Sequence, residues 1–377
     1  MQMKSNTKKI LVVVIIFVIF VAAGIIVSRF IDTGSSKAQL VVGAVGGGKE
    51  NFLADADVNR ILEEKYNIKV DNQAWSNGKM ITDPLTYTKN NKQINYDFAF
   101  FSDERFYEYY KQPATGDESA RLPILDSGIT LSTPVVFYSW KDVADALTKD
   151  GIVKEENGVS YITDMPRLLE YIETGKQWSE VGLGNIYGAI NIASTDPVTS
   201  SPGATYYGLL ASVMNNGPVN NQSIDGVLPK LQSFYKYSGF LNNTPSDLFD
   251  LYLRMGMGAY PIVVDYEKSM LDFAINNPTG FDQVKDKIVI LYSQPTIWNS
   301  HCIVSFSEGG NTFMKAMSDP EIQKIAWEKY GFRTGVIGGN YDVDVMPVSG
   351  VPKEITSVVP GLKKEVYDKM IDALKAS

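Results

Sequence analysis

Strand-like runs that each feed a loop and then a helix recur along this chain, and that alternation constrains its fold more than any other feature. The clearest unit is Tyr187–Met214. An apolar, β-prone run (Ile190, Ile192, Ala193) leads into Ser194-Thr195-Asp196-Pro197-Val198-Thr199-Ser200-Ser201-Pro202-Gly203, and a helical run from Ala204 to Met214 follows. Further strand-like runs are Ala38–Ala44, Lys69–Ala74, Tyr96–Phe101, Leu131–Trp140, Tyr260–Asp265 and Lys287–Tyr292. Helical patterns follow most of them, including Asn51–Tyr66, Arg105–Tyr110 behind the capping Ser102-Asp103-Glu104, and Lys141–Leu147. Ser293–Ile303 reads as extended, and helices are expected over Gly310–Met317, Asp319–Tyr330 and Leu362–Ala376. No internal repeat or low-complexity tract interrupts the pattern. The expectation is an α/β fold with mostly parallel sheets.

The loop from Ser194 to Gly203 joins a strand end to a helix start, which suits a small polar ligand. Hydroxyls supply hydrogen bonds, and a helix N-terminus offers free N–H groups with partial positive charge. The same residue types also fit an N-cap and turn with no ligand, because Ser, Thr and Asp cap helices in most proteins.

Ile10–Val27 is a run of eighteen uncharged, apolar residues preceded by Lys4, Lys8 and Lys9 and followed by Arg29. At 1.5 Å per residue such a run spans roughly 27 Å, close to the hydrocarbon thickness of a bilayer. The flanking lysines predict a cytoplasmic N-terminus and an extracellular remainder. The run is longer than the core of a typical cleaved signal, so an uncleaved single-pass anchor is expected, with Ser28–Lys37 as linker. Cys302 is the only cysteine, which excludes an intramolecular disulfide and a lipid-anchoring cysteine behind the run. The net charge is −8, and the first 31 residues carry four cations and no acid, so the remainder stands at −12. That charge argues against nucleic acid and anionic membrane surfaces as partners of the outer part.

Catalytic signatures are weak. Gly43-Ala44-Val45-Gly46-Gly47-Gly48-Lys49 has the glycine and lysine spacing of a phosphate-binding loop. Glu50 stands where such a loop needs a Ser or Thr hydroxyl for Mg²⁺, which argues against nucleotide hydrolysis. His301 is the only histidine and adjoins Cys302. Neighbours in an extended segment point to opposite faces, so they cannot form a nucleophilic pair, and one His with one Cys cannot hold zinc in the usual way. No G-x-S-x-G elbow is present. Neither a cofactor nor a metal is expected. Among the aromatics at element junctions, Tyr266 and Trp298 are the candidates for a cleft wall.

Five segments in order resemble type II extracellular solute-binding proteins, the receptor components of ABC importers: VVGAVGGGKENF, YDFAFFSDE, INIASTDPVTSSPGATYYGLL, YPIVVDYEKSML and ILYSQPTIWNSHCIVSF. The third is similar to the Ser/Thr-rich loop and helix of molybdate- and sulfate-type members. The resemblance implies a two-lobed α/β periplasmic-binding-protein fold with a hinge. Residues 37–136 plus 296–377 would form lobe 1 and residues 137–295 lobe 2, behind an anchor and linker over 1–36. It also places Gly46, Gly47, Ser102, Thr133, Ser194, Thr195, Asp196, Ser201 and Tyr266 near the cleft. Asp196 and Glu50 suit an anionic ligand only if their carboxylates point away from it.

The expected function is therefore capture of a small polar or anionic solute by a membrane-anchored, extracellular, non-enzymatic protein working with a membrane permease. Two other readings stay open at this point. A cell-surface sensor or adaptor could use the same fold to bind a protein complex. A secreted hydrolase with a carboxylate pair is the remaining alternative.

Overall fold

The computed structural model describes residues 37–112, 121–238, 244–336 and 342–377. The apolar run at 10–27 lies outside them; among the described residues no helix is long and apolar enough to cross a membrane.

Thirteen strands are present among the described residues: β1 (Gln39–Val45), β2 (Ile68–Ala74), β3 (Thr86–Lys89), β4 (Lys92–Asn95), β5 (Phe98–Phe101), β6 (Asp126–Trp140), β7 (Val153–Glu156), β8 (Val159–Ile162), β9 (Ile262–Tyr266), β10 (Ile288–Ser293), β11 (Thr296–Ser305), β12 (Arg333–Thr334) and β13 (Val358–Val359). Eight of them run β2-β1-β5-β11-β6-β10-β8-β7, with β9 and β12 also on β6 and β13 on β11. The chain builds two cores and passes between them along β6 and along β10–β11.

In the first core, alternate residues of β1 and β5 serve opposite faces, as a pleated strand requires. Val41, Val45, Phe98 and Phe100 pack on one side. Val42, Ala44, Ala99 and Phe101 pack on the other. The second core gathers Val135–Tyr138 of β6, β9, β10 and the helix Ser201–Met214. β6 and β11 serve both, β11 placing Ile297 in the second core and Ile303 in the first. All β6 residues from Thr130 to Trp140 are buried. Its first part pairs with β11, and from Val135 onward it pairs with β9.

Three expectations are corrected here. The sheet is mixed rather than mostly parallel: β1/β2, β1/β5 and β10/β8 are parallel, whereas β11/β5, β11/β6, β10/β6 and β9/β6 are antiparallel. The cause is the crossing strands, which run against their neighbours on both sides. The strand expected over Ile190–Ala193 reduces to an isolated bridge from Ala193 to Val263. The C-terminal stretch assigned to lobe 1 divides between the cores. Val348, Val351, Leu362, Val366, Met370 and Leu374 bury their side chains in the second core. The reason is the apolar face of the helix Lys364–Lys375, which meets the helix Ile224–Tyr237; there Gln232 Nε2 donates to the Ala373 carbonyl at 2.8 Å.

Candidate functional site

A cleft of about 830 Å³ opens between the two cores, beside the crossing strands. One wall is built by the loop after β1 (Gly47, Gly48), by Ser102 after β5, and by Asn299 and His301 of β11. The opposite wall is built by Asp265 and Tyr266 at the end of β9 and by Lys268, Ser269 and Asp272 of the helix Glu267–Asn276. Phe249 of the helix Pro245–Met255 and Phe332 add aromatic surface.

Beneath the first wall lies Lys49, fully buried. Its Nζ lies 3.0 Å from Ser102 Oγ, 3.3 Å from His301 Nδ1 and 3.4 Å from the Gly47 carbonyl. It also sits 4.9 Å above the Phe100 ring. Among the described residues no carboxylate lies within ion-pair distance of it. Burial therefore dominates and brings the Lys49 pKa down to about 7, with Glu50 opposing the shift and Lys268 adding to it. Burial, with the nearby Lys49 and Lys268 charges, also holds His301 well below its usual pKa, so the imidazole is neutral. Gly46 has no room for a side chain: a Cβ would lie 2.5 Å from Ser102 Oγ and 2.6 Å from Asn77 Oδ1. Asn77 Oδ1 in turn accepts from the Ser102 N–H at 3.0 Å, which fixes the Ser102 loop to this wall.

On the second wall Asp265 is 3% exposed and its carboxylate oxygens make no well-formed hydrogen bond. Burial raises its pKa to about 6, against the pull of the Tyr266 N–H and the Ser269 hydroxyl. Lys268 pairs with Asp272 at 2.7 Å, and its ammonium reaches across to within 5.1 Å of the Phe332 ring. Thr133 on β6 faces Asn299 on β11 in register, and its hydroxyl accepts from the Lys268 N–H at 3.1 Å. Tyr266 Oη lies 3.2 Å from Thr205 Oγ1, and burial raises its pKa.

Of the residues expected near the ligand, Gly47, Ser102, Thr133, Ser201 and Tyr266 line this cleft and Gly46 lies directly behind it. Ser194 instead faces a separate cavity beside Phe234 and Tyr260, and its hydroxyl donates to the Thr195 carbonyl at 2.7 Å. Thr195 is buried. The Asp196 carboxylate caps its own turn, accepting from the Val198 N–H at 2.9 Å and from Tyr235 Oη at 3.3 Å. Trp298 lies near Arg105 and Leu362 at a small separate hollow. The loop is drawn onto its helix because Gly203 lets it come close; a Cβ there would sit 2.2 Å from the Thr195 carbonyl oxygen.

Lys49, Asp265, Lys268, Asn299 and His301 were not among the expected site residues. Asn299 and His301 share a strand face by their spacing of two, with Thr133 opposite, and that pattern was the available signal. Burial of a lysine or an aspartate leaves no such trace in sequence.

No protein-family profile matches the chain, and no curated protein matches it. Solved structures do. A protein described as an extracellular solute-binding protein from Bordetella parapertussis superposes with a TM-score of 0.58 at 14% identity, covering 90% of this chain and 97% of that one. An ABC transporter structure from Clostridium perfringens gives 0.56 at 12% identity, over 89% of this chain and 99% of that one. Apo ferric ion-binding protein A of Pasteurella haemolytica gives 0.52 at 13% identity, over 90% of this chain and 96% of that one. These likenesses show the fold, which is that of the two-lobed type II solute-binding proteins.

Proposed function

We propose that this chain, with its type II solute-binding-protein fold, captures a small polar solute in the cleft between its cores and delivers it to an ABC-type importer. The observation that carries the reading is the origin of the cleft walls. Gly47, Ser102 and Asn299 come from one core and Asp265, Tyr266 and Lys268 from the other. A solute that touches both walls at once favours the closed state over the open one, as a hinged receptor requires. In this reading residues 37–134 with 297–336 form one lobe, and 135–296 with 342–377 form the other. The run at 10–27 anchors the protein in the membrane and holds both lobes outside the cell, beside a permease. Capture needs no chemistry, and the protein is read as a non-enzyme.

The test is a thermal-shift screen of the full-length protein against oxyanions, sugars, amino acids and polyamines. A ligand at 100 times its Kd stabilises the folded state by about 2.7 kcal/mol. A saturable shift that Asn299→Ala abolishes supports the receptor. A folded protein that responds to nothing points to the surface sensor or adaptor instead.

A further inference from the structure

The cleft is lined by many polar groups. Among its buried side chains, two residues, one on each wall, carry oxygens without a hydrogen-bond partner. The Asp265 carboxylate on β9 is 3% exposed and neither oxygen makes a well-formed hydrogen bond, although the Tyr266 N–H and the Ser269 hydroxyl act on it. Asn299 on β11 is also 3% exposed, and its Oδ1 is unpartnered. The orientation of that amide is fixed by its other end, because Nδ2 donates to the Ser102 carbonyl at 2.8 Å, which only nitrogen can do. Both unmatched groups are therefore acceptors.

Buried polar atoms without partners are rare and costly, and two facing one cleft from opposite walls call for an explanation. Resting on the receptor reading above, we propose that the solute is a hydrogen-bond donor at both ends, a polyol or an amine, with one donor on Asp265 and another on Asn299 Oδ1. A fully deprotonated oxyanion such as sulfate or molybdate has no proton to offer either group and would be repelled by the Asp265 carboxylate. Two side-chain donors that could have held such an anion are already engaged. Ser102 Oγ donates to the Gly47 carbonyl at 3.0 Å, and Lys268 is paired with Asp272. Aromatic surface from Phe249, Phe273 and Phe332 lines the same space, which suits the C–H faces of a polyol and the cation of an amine alike.

The experiment is calorimetric titration of the full-length protein with three probe sets at pH 7.5: sulfate and molybdate; myo-inositol and glucose; ethanolamine and putrescine. The expected result is saturable binding by a member of the second or third set and none by the first. Asp265→Asn and Asn299→Ala should each weaken it by roughly 10- to 100-fold while the variants keep the thermal unfolding of a folded protein. Charge separates the two sources. For an amine, Asp265→Asn is the more damaging variant and affinity falls with salt; for a polyol, the two variants cost about the same and salt has little effect. Binding by sulfate or molybdate, with the other sets silent, overturns the inference and leaves the receptor reading standing. Silence from every probe with folded protein overturns the inference and counts against the receptor reading as well. Unchanged affinity in both variants overturns the assignment of Asp265 and Asn299.

Discussion

The Arg333 guanidinium and the Glu267 carboxylate form a fully buried, two-point ion pair, Nε to Oε2 at 2.5 Å and Nη2 to Oε1 at 2.8 Å. Arg333 belongs to β12 on the flank of β6, and Glu267 opens the helix that carries Lys268 and Asp272. The pair thus ties the crossing region to the second wall. Tyr292 Oη donates to Glu267 Oε1 at 2.6 Å, and Arg333 Nη2 also reaches the Pro352 carbonyl at 2.8 Å.

Removing one partner leaves the other charge buried and unmatched. Glu267→Gln and Arg333→Met are each expected to cost about 3–5 kcal/mol, read as a lower midpoint in urea unfolding. Arg333→Lys should rescue little, since an ammonium cannot reproduce the fork that meets both carboxylate oxygens. A variant within about 1 kcal/mol of the parent would show that the pair contributes no net stability.

Lys49 should make stability rise with pH. In the folded state it loses its proton near pH 7, but in the unfolded chain only near 10.5. The folded protein therefore binds fewer protons between those values, and stability increases across that window. Below pH 7 the cost of burying the ammonium is present in full, roughly 3–5 kcal/mol. Lys49→Met should raise Tm most at pH 6, and its advantage should shrink steadily towards pH 10. An advantage independent of pH would sink the argument.

Asp265 works in the opposite sense. Its pKa rises on folding from 3.8 to about 6, so its burial cost appears as pH climbs through that window and is complete above pH 6. Asp265→Asn should therefore be more stable than the parent at pH 7, by about 2–3 kcal/mol, and no more stable at pH 3.5. The difference in Tm between variant and parent at the two pH values is the measurement. A carboxylate kept at such cost in stability is understandable where it serves a ligand.

One substitution at two glycines should give opposite signs. Gly203→Ala forces a Cβ to within 2.2 Å of the Thr195 carbonyl oxygen and should destabilise by about 1–3 kcal/mol or more. Gly226→Ala, in the helix Ile224–Tyr237, meets nothing within 4 Å and should stabilise by about 0.4–1 kcal/mol. Chemical denaturation of the two variants side by side decides it.

Much of the element order was legible in the sequence because the apolar runs of β1, β5, β9 and β10 are buried on both faces and stand out against their loops. The helix expected over Asn51–Tyr66 is interrupted, since Asp55 caps a second helix from Ala56. The hairpins β3–β4 and β7–β8 were hidden by the strand–loop–helix pattern, although Asn157-Gly158 is a turn sequence suited to the second. The cleft was legible only where local signals exist. Gly47 and Ser102 follow strands and Tyr266 ends one, whereas Lys49 and Asp265 matter through burial that depends on the whole fold. The Ser194–Asp196 stretch has a ligand-like composition, but Ser194 and Asp196 spend their side chains on its own turn and Thr195 is buried.

Pro134 stands where β6 leaves β11 and takes up β9, and Pro295 stands between β10 and β11 on the other crossing. Neither has an N–H to donate, so neither crossing gains a backbone hydrogen bond from the amide at its proline. A sheet of paper creases where it has been scored. In the proposed receptor those two prolines mark that score, where the walls of the cleft would swing while the bonded rungs on either side stay intact.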